Sequence, residues 1–121
     1  MLAMLALSTV IAGCEPAPSP VSDERLASSE ARAHGAVLFA EHCALCHGSK
    51  GEGQGQRRAG FASRAADFTS SAWRNDATAS QVFETIHNGK PGTSMPAWRS
   101  LSDDDIADLT AYVLSLGEGA R

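Results

Sequence analysis

The sequence predicts an all-α fold of about three main helices joined by long loops, and three observations carry that expectation. No stretch alternates apolar and polar residues as a half-buried strand would. Instead, apolar residues recur at spacings of three and four in three segments with recognisable starts. Between those segments lie glycine- and proline-rich runs that exclude helix. The 121 residues suffice for one small domain and are too few for two. A net charge of −4 argues against nucleic acid as the partner. Aromatic residues make up only 6%, so the core is modest unless a large apolar group fills it.

Residues 1–12 form an uncharged apolar run containing Leu2, Leu5, Leu7, Val10 and Ile11. The run is too short to span a bilayer and reads as the apolar part of a signal peptide. It ends in Ile11-Ala12-Gly13-Cys14, which resembles the lipobox of bacterial lipoproteins, although no Lys or Arg precedes it. That resemblance implies cleavage before Cys14, lipidation of its thiol, and a place on the periplasmic side of a bacterial membrane. An ordinary secretory leader with a chance cysteine is the alternative, and it also exports the protein. In residues 15–28, Pro16, Pro18 and Pro20 alternate with small residues. Fixed φ and missing N–H groups favour an extended, solvated tether with a reach of roughly 40 Å. The expected organisation is therefore a leader over residues 1–13, a lipid-anchored tether over 14–28 and a folded domain over 29–121.

The first main helix is expected to start at Ser29 as its N-cap, with Gly35, Leu38, Phe39 and His42 forming one stripe. Gly35 inside a helix costs about 1 kcal/mol relative to alanine. A close helix crossing would explain it, and a tolerated exposed glycine is the alternative.

The stripe leads into Cys43-Ala44-Leu45-Cys46-His47. Two cysteines three apart share a helical turn and suit thioether bonds to the two vinyl groups of a haem, with the next histidine against the iron. A zinc site would need further ligands at their own spacing, and no second C-x-x-C or closely spaced histidine pair is present. A dithiol redox pair would call for a βαβ pattern, whereas these flanks read helical. The cysteine count closes on the haem reading, because Cys14 belongs to the leader and none remains for a disulfide. The pattern resembles the attachment site of c-type cytochromes.

From Gly48 to Gly55 the chain is glycine-rich but lacks the G-K-[ST] ending of a phosphate loop, so its expected role is a tight turn around a haem edge. Arg57, Arg58 and Arg64 are candidates for pairing with haem propionates, against the plainer reading of solvated loop arginines. No proline falls between His47 and Pro91 to orient the histidine ring, so some other carbonyl must serve, those near Gly60 and Phe61 being candidates, and the sequence does not say which. Trp73 stands where related cytochromes often place an indole near a propionate, and core packing explains it equally well.

Thr78-Ala79-Ser80-Gln81 matches a capping box opening a helix through Val82, Phe83 and Ile86 that stops at Asn88-Gly89. The following loop, 90–98, holds two prolines and Met95, which becomes the only methionine once Met1 and Met4 leave with the leader. Met95-Pro96-Ala97-Trp98 resembles the distal-ligand loop of class I cytochromes c, which implies Met95 as sixth iron ligand. His34 and His42 lie too close to the motif in sequence to reach the opposite haem face, so His87 is the rival ligand. The last helix is marked by the Leu101/Ile106 staple around Ser102 and by Asp103, Asp104 and Asp105 at its positive end. Its face is Ile106, Leu109, Tyr112, Val113 and Leu116, with Gly117 as the stop.

Across residues 29–116 the chain resembles the monohaem class I c-type cytochromes. That resemblance implies one covalent haem c, a crossing of first and last helices at Gly35, Phe39 and Tyr112, and an electron carrier rather than an enzyme. It further implies redox proteins as partners, whether membrane complexes or periplasmic oxidoreductases, with the chain acting as a monomer or as a haem subunit. Electrons are expected to leave near the Met95 loop, with Lys90 at the docking face. The rivals are a haem enzyme subunit or gas sensor with an open or His87-ligated iron, and a zinc-binding structural lipoprotein.

Overall fold

The computed structural model of the chain describes residue 13 and residues 17–58 and 63–118. The leader run of residues 1–12 and Cys14 lie outside the described residues. Among the described residues there is no strand, and three helices are long: α2 (Ser29–His42), α5 (Ala79–Asn88) and α6 (Asp103–Ser115). Shorter helical pieces are α1 (Asp23–Ala27), α3 (Ala44–His47) and α4 (Ser71–Asp76), with a 3₁₀ turn at Gln56–Arg58.

The helix starts follow their local chemistry. α5 begins with the expected capping box, Thr78 and Gln81 satisfying each other's backbone N–H groups. α6 begins with a second one, Ser102 paired with Asp105. Ser28 rather than Ser29 caps α2, because the hydroxyl that reaches a third-residue N–H is the one accepting from Ala31, 3.2 Å away.

α6 is the hub, with α1, α2 and α5 all packed against it. The sequence suggested one apolar stripe, yet residues 106–111 are buried in succession. Ala107 and Ala111 are small enough for neighbouring helices to close in, and Thr110 satisfies its hydroxyl on the Ile106 carbonyl at 2.8 Å. The close contact with α2 is at Gly35, where a Cβ would collide with the Asp108 carbonyl. Beside it Phe39 and Tyr112 meet edge to face, centroids 5.3 Å apart. The expected crossing is thus present.

The tether expectation is corrected at its distal end. Residues 23–27 are helical, and Val21 is 2% exposed within the core. Arg25 reaches Asp104 at 2.6 Å, and Arg32 donates to the Leu26 carbonyl at 2.7 Å, so α1 is fastened to both α6 and α2. Residues 17–20 are free of helix, in keeping with the prolines among them. The apolar Val21 and Leu26 had no periodic pattern long enough to mark a five-residue helix. Among the described residues no helix is long and apolar enough to cross a membrane.

Candidate functional site

Cys43 ends α2 and Cys46 lies in the short α3, so the two thiols share one turn. Both are half-buried and free of disulfide bonding. Burial, reinforced by neighbouring Cys46, pushes the Cys43 thiol up to about 12. A buried thiol held neutral in this way is a poor nucleophile for dithiol exchange, which proceeds through the thiolate. Among the described residues no group of three His, Cys, Asp or Glu side chains converges on a metal-sized site.

His47 follows on the same turn, and its Nδ1 lies 3.2 Å from the Ala66 carbonyl. A carbonyl only accepts, so Nδ1 carries the hydrogen and Nε2 keeps its lone pair. Burial lowers the affinity of the ring for a second proton, and the Ala66 bond partly opposes that. The orienting carbonyl is therefore Ala66, not one near Gly60 or Phe61, and those two residues lie outside the described ones. Phe68, two residues beyond Ala66, stacks against the His47 ring at 4.6 Å and is flanked in turn by Phe39 and Trp73. Phe68 was missed in the sequence because residues 56–71 show no periodicity, and a single aromatic in an unpatterned stretch was the available signal.

The glycine-rich stretch folds back on this turn. Gly53 N–H donates to the His47 carbonyl at 2.7 Å, and Phe68 N–H to the Gly51 carbonyl at 2.8 Å. Gly55 lies so close to the Leu45 and Cys46 carbonyls that a Cβ would overlap them. Arg57 and Arg64 are exposed, and the Arg58 side chain lies outside the described residues. Trp73, half-buried, meets Phe68 edge-on at 4.8 Å and so packs against the core.

Met95 is half-buried against the core in an irregular loop. The loop is closed by Lys90 N–H on the Met95 carbonyl at 3.1 Å and by Met95 N–H on Thr93 Oγ1 at 3.2 Å. His87, the rival ligand, has its Nδ1 2.9 Å from Asn88 Oδ1, its Nε2 3.8 Å from Asp103, and its ring against Phe83. It is engaged at the surface. His34 contacts Asp108 at 2.8 Å, and His42 packs on Trp98.

The residues of the attachment turn fit a covalently attached haem, with two thiols on one turn and an imidazole whose Nε2 keeps its lone pair, while Met95 lies in a separate hydrogen-bonded loop. Comparison with known proteins agrees. The Cytochrome c family model matches residues 32–117. The chain is 38% identical over 86 residues to the Cbb3-type cytochrome c oxidase subunit FixP of Azorhizobium caulinodans, covering 70% of this chain and 27% of that one. It is 36% identical over 88 residues to the subunit CcoP of Cereibacter sphaeroides, covering 72% of this chain and 28% of that one. The chain thus spans little more than a quarter of the length of these relatives. Among solved structures, the Kuenenia stuttgartiensis reducing HAO-like protein complex Kustc0457/Kustc0458 superposes with a TM-score of 0.67. Identity there is 28%, over 74% of this chain and 44% of that one. The KustC0563 c-type cytochrome superposes with a TM-score of 0.55 at 25% identity, over 68% of this chain and 95% of that one.

Proposed function

The chain belongs to the cytochrome c family and carries covalently bound haem c, and from that premise we propose that it is a monohaem, membrane-anchored electron carrier. Cys43 and Cys46 would hold the haem as thioethers, and His47 Nε2 and the Met95 thioether would ligate its iron. The observation that carries the reading is the neutral His47 ring, its Nδ1–H engaged by the Ala66 carbonyl and its Nε2 left for a metal. When bound, haem c supplies a one-electron iron couple. The residues around it do the rest. With both His47 and Met95 as ligands the iron would have no ready place for a substrate, and the soft thioether would raise the reduction potential. The surface partnerships of His87 support Met95 over it as distal ligand.

Cys14, by its lipobox, anchors the chain on the periplasmic side of a membrane. Because Val21 and α1 belong to the fold, fewer residues are left between Cys14 and the domain than the sequence alone suggests, and the reach of the tether is correspondingly shorter than roughly 40 Å. Partners are redox proteins, membrane oxidase complexes or periplasmic oxidoreductases, and the relatives named as oxidase subunits support the membrane-complex class.

The test is a visible spectrum of oxidised and reduced holoprotein, with and without Met95→Ala. A sharp reduced α-band, and a red-edge methionine-to-iron band in the oxidised form that the substitution removes, is the expected result. Spectra indifferent to the substitution would overturn the axial assignment. Absence of a haem band would overturn the attachment motif.

A further inference from the structure

His42 immediately precedes Cys43, and its ring lies on the Trp98 indole, centroids 5.2 Å apart and planes inclined at 51°. One residue thus stands at the attachment turn and the other at the end of the Met95 loop. We propose that His42 is a positioning residue, its ring clamping Trp98 and thereby holding the Met95 loop where its thioether serves the iron. The inference rests on Met95 being the distal ligand.

The loop needs such a hold. Its internal hydrogen bonds, Thr93 and Met95 to Lys90 and to each other, travel with it if it swings away. Its backbone hydrogen bonds to the flanking segments are made at Trp98, whose N–H donates to the Ile86 carbonyl at 3.0 Å and whose carbonyl accepts from Leu101 N–H at 3.2 Å. Those backbone bonds fix the Trp98 main chain, while its half-buried side chain is held by packing alone, against the core and against the His42 ring. The His42 ring, half-buried at the end of α2, supplies the second wall. An aromatic side chain is large and has few rotors, so clamping it orders a loop at small entropic cost. A thioether is a neutral, weakly basic ligand, so the fraction of time Met95 stays bound depends on how little the loop must be ordered. The charged neighbours of His42, Glu41 at 3.7 Å and Asp105 across on α6, offer a rival electrostatic role, which recovery by an uncharged aromatic ring would exclude.

The experiment follows the Met95-dependent band of the oxidised holoprotein with temperature, alongside far-UV circular dichroism, in His42→Ala, His42→Phe and the parent. His42→Gln serves if His42→Ala does not accumulate. The expected result is a band midpoint lower by about 5 °C or more in His42→Ala, a smaller change in the helix midpoint, and recovery in His42→Phe. In a Trp98→Leu background, His42→Ala should add no further shift. A band insensitive to His42→Ala, band and helix midpoints falling together, failure of His42→Phe to recover, or an undiminished effect in the Trp98→Leu background would each overturn the clamp. If Met95→Ala leaves the parent band in place, the ligand assignment itself falls and the clamp with it.

Discussion

Gly35 shows how a single residue sets the fold around the site. Alanine is the better helix former by about 1 kcal/mol, so on an exposed face Gly35→Ala would stabilise the protein. Here the added carbon meets the Asp108 backbone, with Tyr112 Cβ 2.8 Å away, and neither can rotate aside. The expected outcome is net destabilisation of about 1–3 kcal/mol, read as a lower denaturant midpoint in the holoprotein. A raised midpoint would mean that the α2–α6 crossing is looser than described. His47 depends on neighbours in the same way, but its neighbours come from a different stretch of chain. Its imidazole is legible in the motif, whereas the Ala66 carbonyl and the Phe68 ring are not, since a carbonyl has no sequence signature and residues 59–68 lack a pattern to anchor them.

Among the elements, α6 was the most legible, because its signals are local. Ser102, three successive aspartates and an apolar face all act within a few residues of the helix start. Ser102→Ala is expected to cost about 1 kcal/mol, measured by thermal or denaturant unfolding. It should also change the acid response. Hydrogen bonds from the Ser102 side chain and backbone hold the Asp105 carboxyl below its usual range. A depressed carboxyl contributes stability that is complete above the ordinary aspartate range and is lost as pH falls through the lower, folded value. The Ser102→Ala protein should therefore lose less stability than the parent on acidification below about pH 4. Equal acid slopes in the two proteins would count against the capping bond as the source. α1 is the opposite case. Five residues are too few to form a helix by themselves, and only the surface of α2 and α6 makes α1 stable.

At the scale of the whole molecule, Val21 and α1 make the segment before α2 part of the folded unit. A chain starting at Ser29 should be less stable than one starting at Ala17 by about 1–3 kcal/mol, from lost burial of Val21 and Leu26. Equal denaturant midpoints with haem attached would restore the longer tether. Lys90 is exposed beside the loop that closes on the Met95 carbonyl. If that loop docks partners, Lys90→Glu should change the electron-transfer on-rate by about 3–10-fold at low salt, the difference shrinking as ionic strength rises. An unchanged salt dependence would move the docking face elsewhere.

The all-α class, the Thr78 capping box, the Ser102 N-cap, the Cys43-Ala44-Leu45-Cys46-His47 motif and the irregular loop around Met95 are legible along the chain, because each is written in residues close together. Tertiary structure decided which carbonyl orients His47, that Phe68 lies against its ring, that Trp98 meets His42, and that Val21 and α1 belong to the core. Those contacts join segments distant in sequence, and their energies come from surfaces that exist only once α2, α5 and α6 have packed.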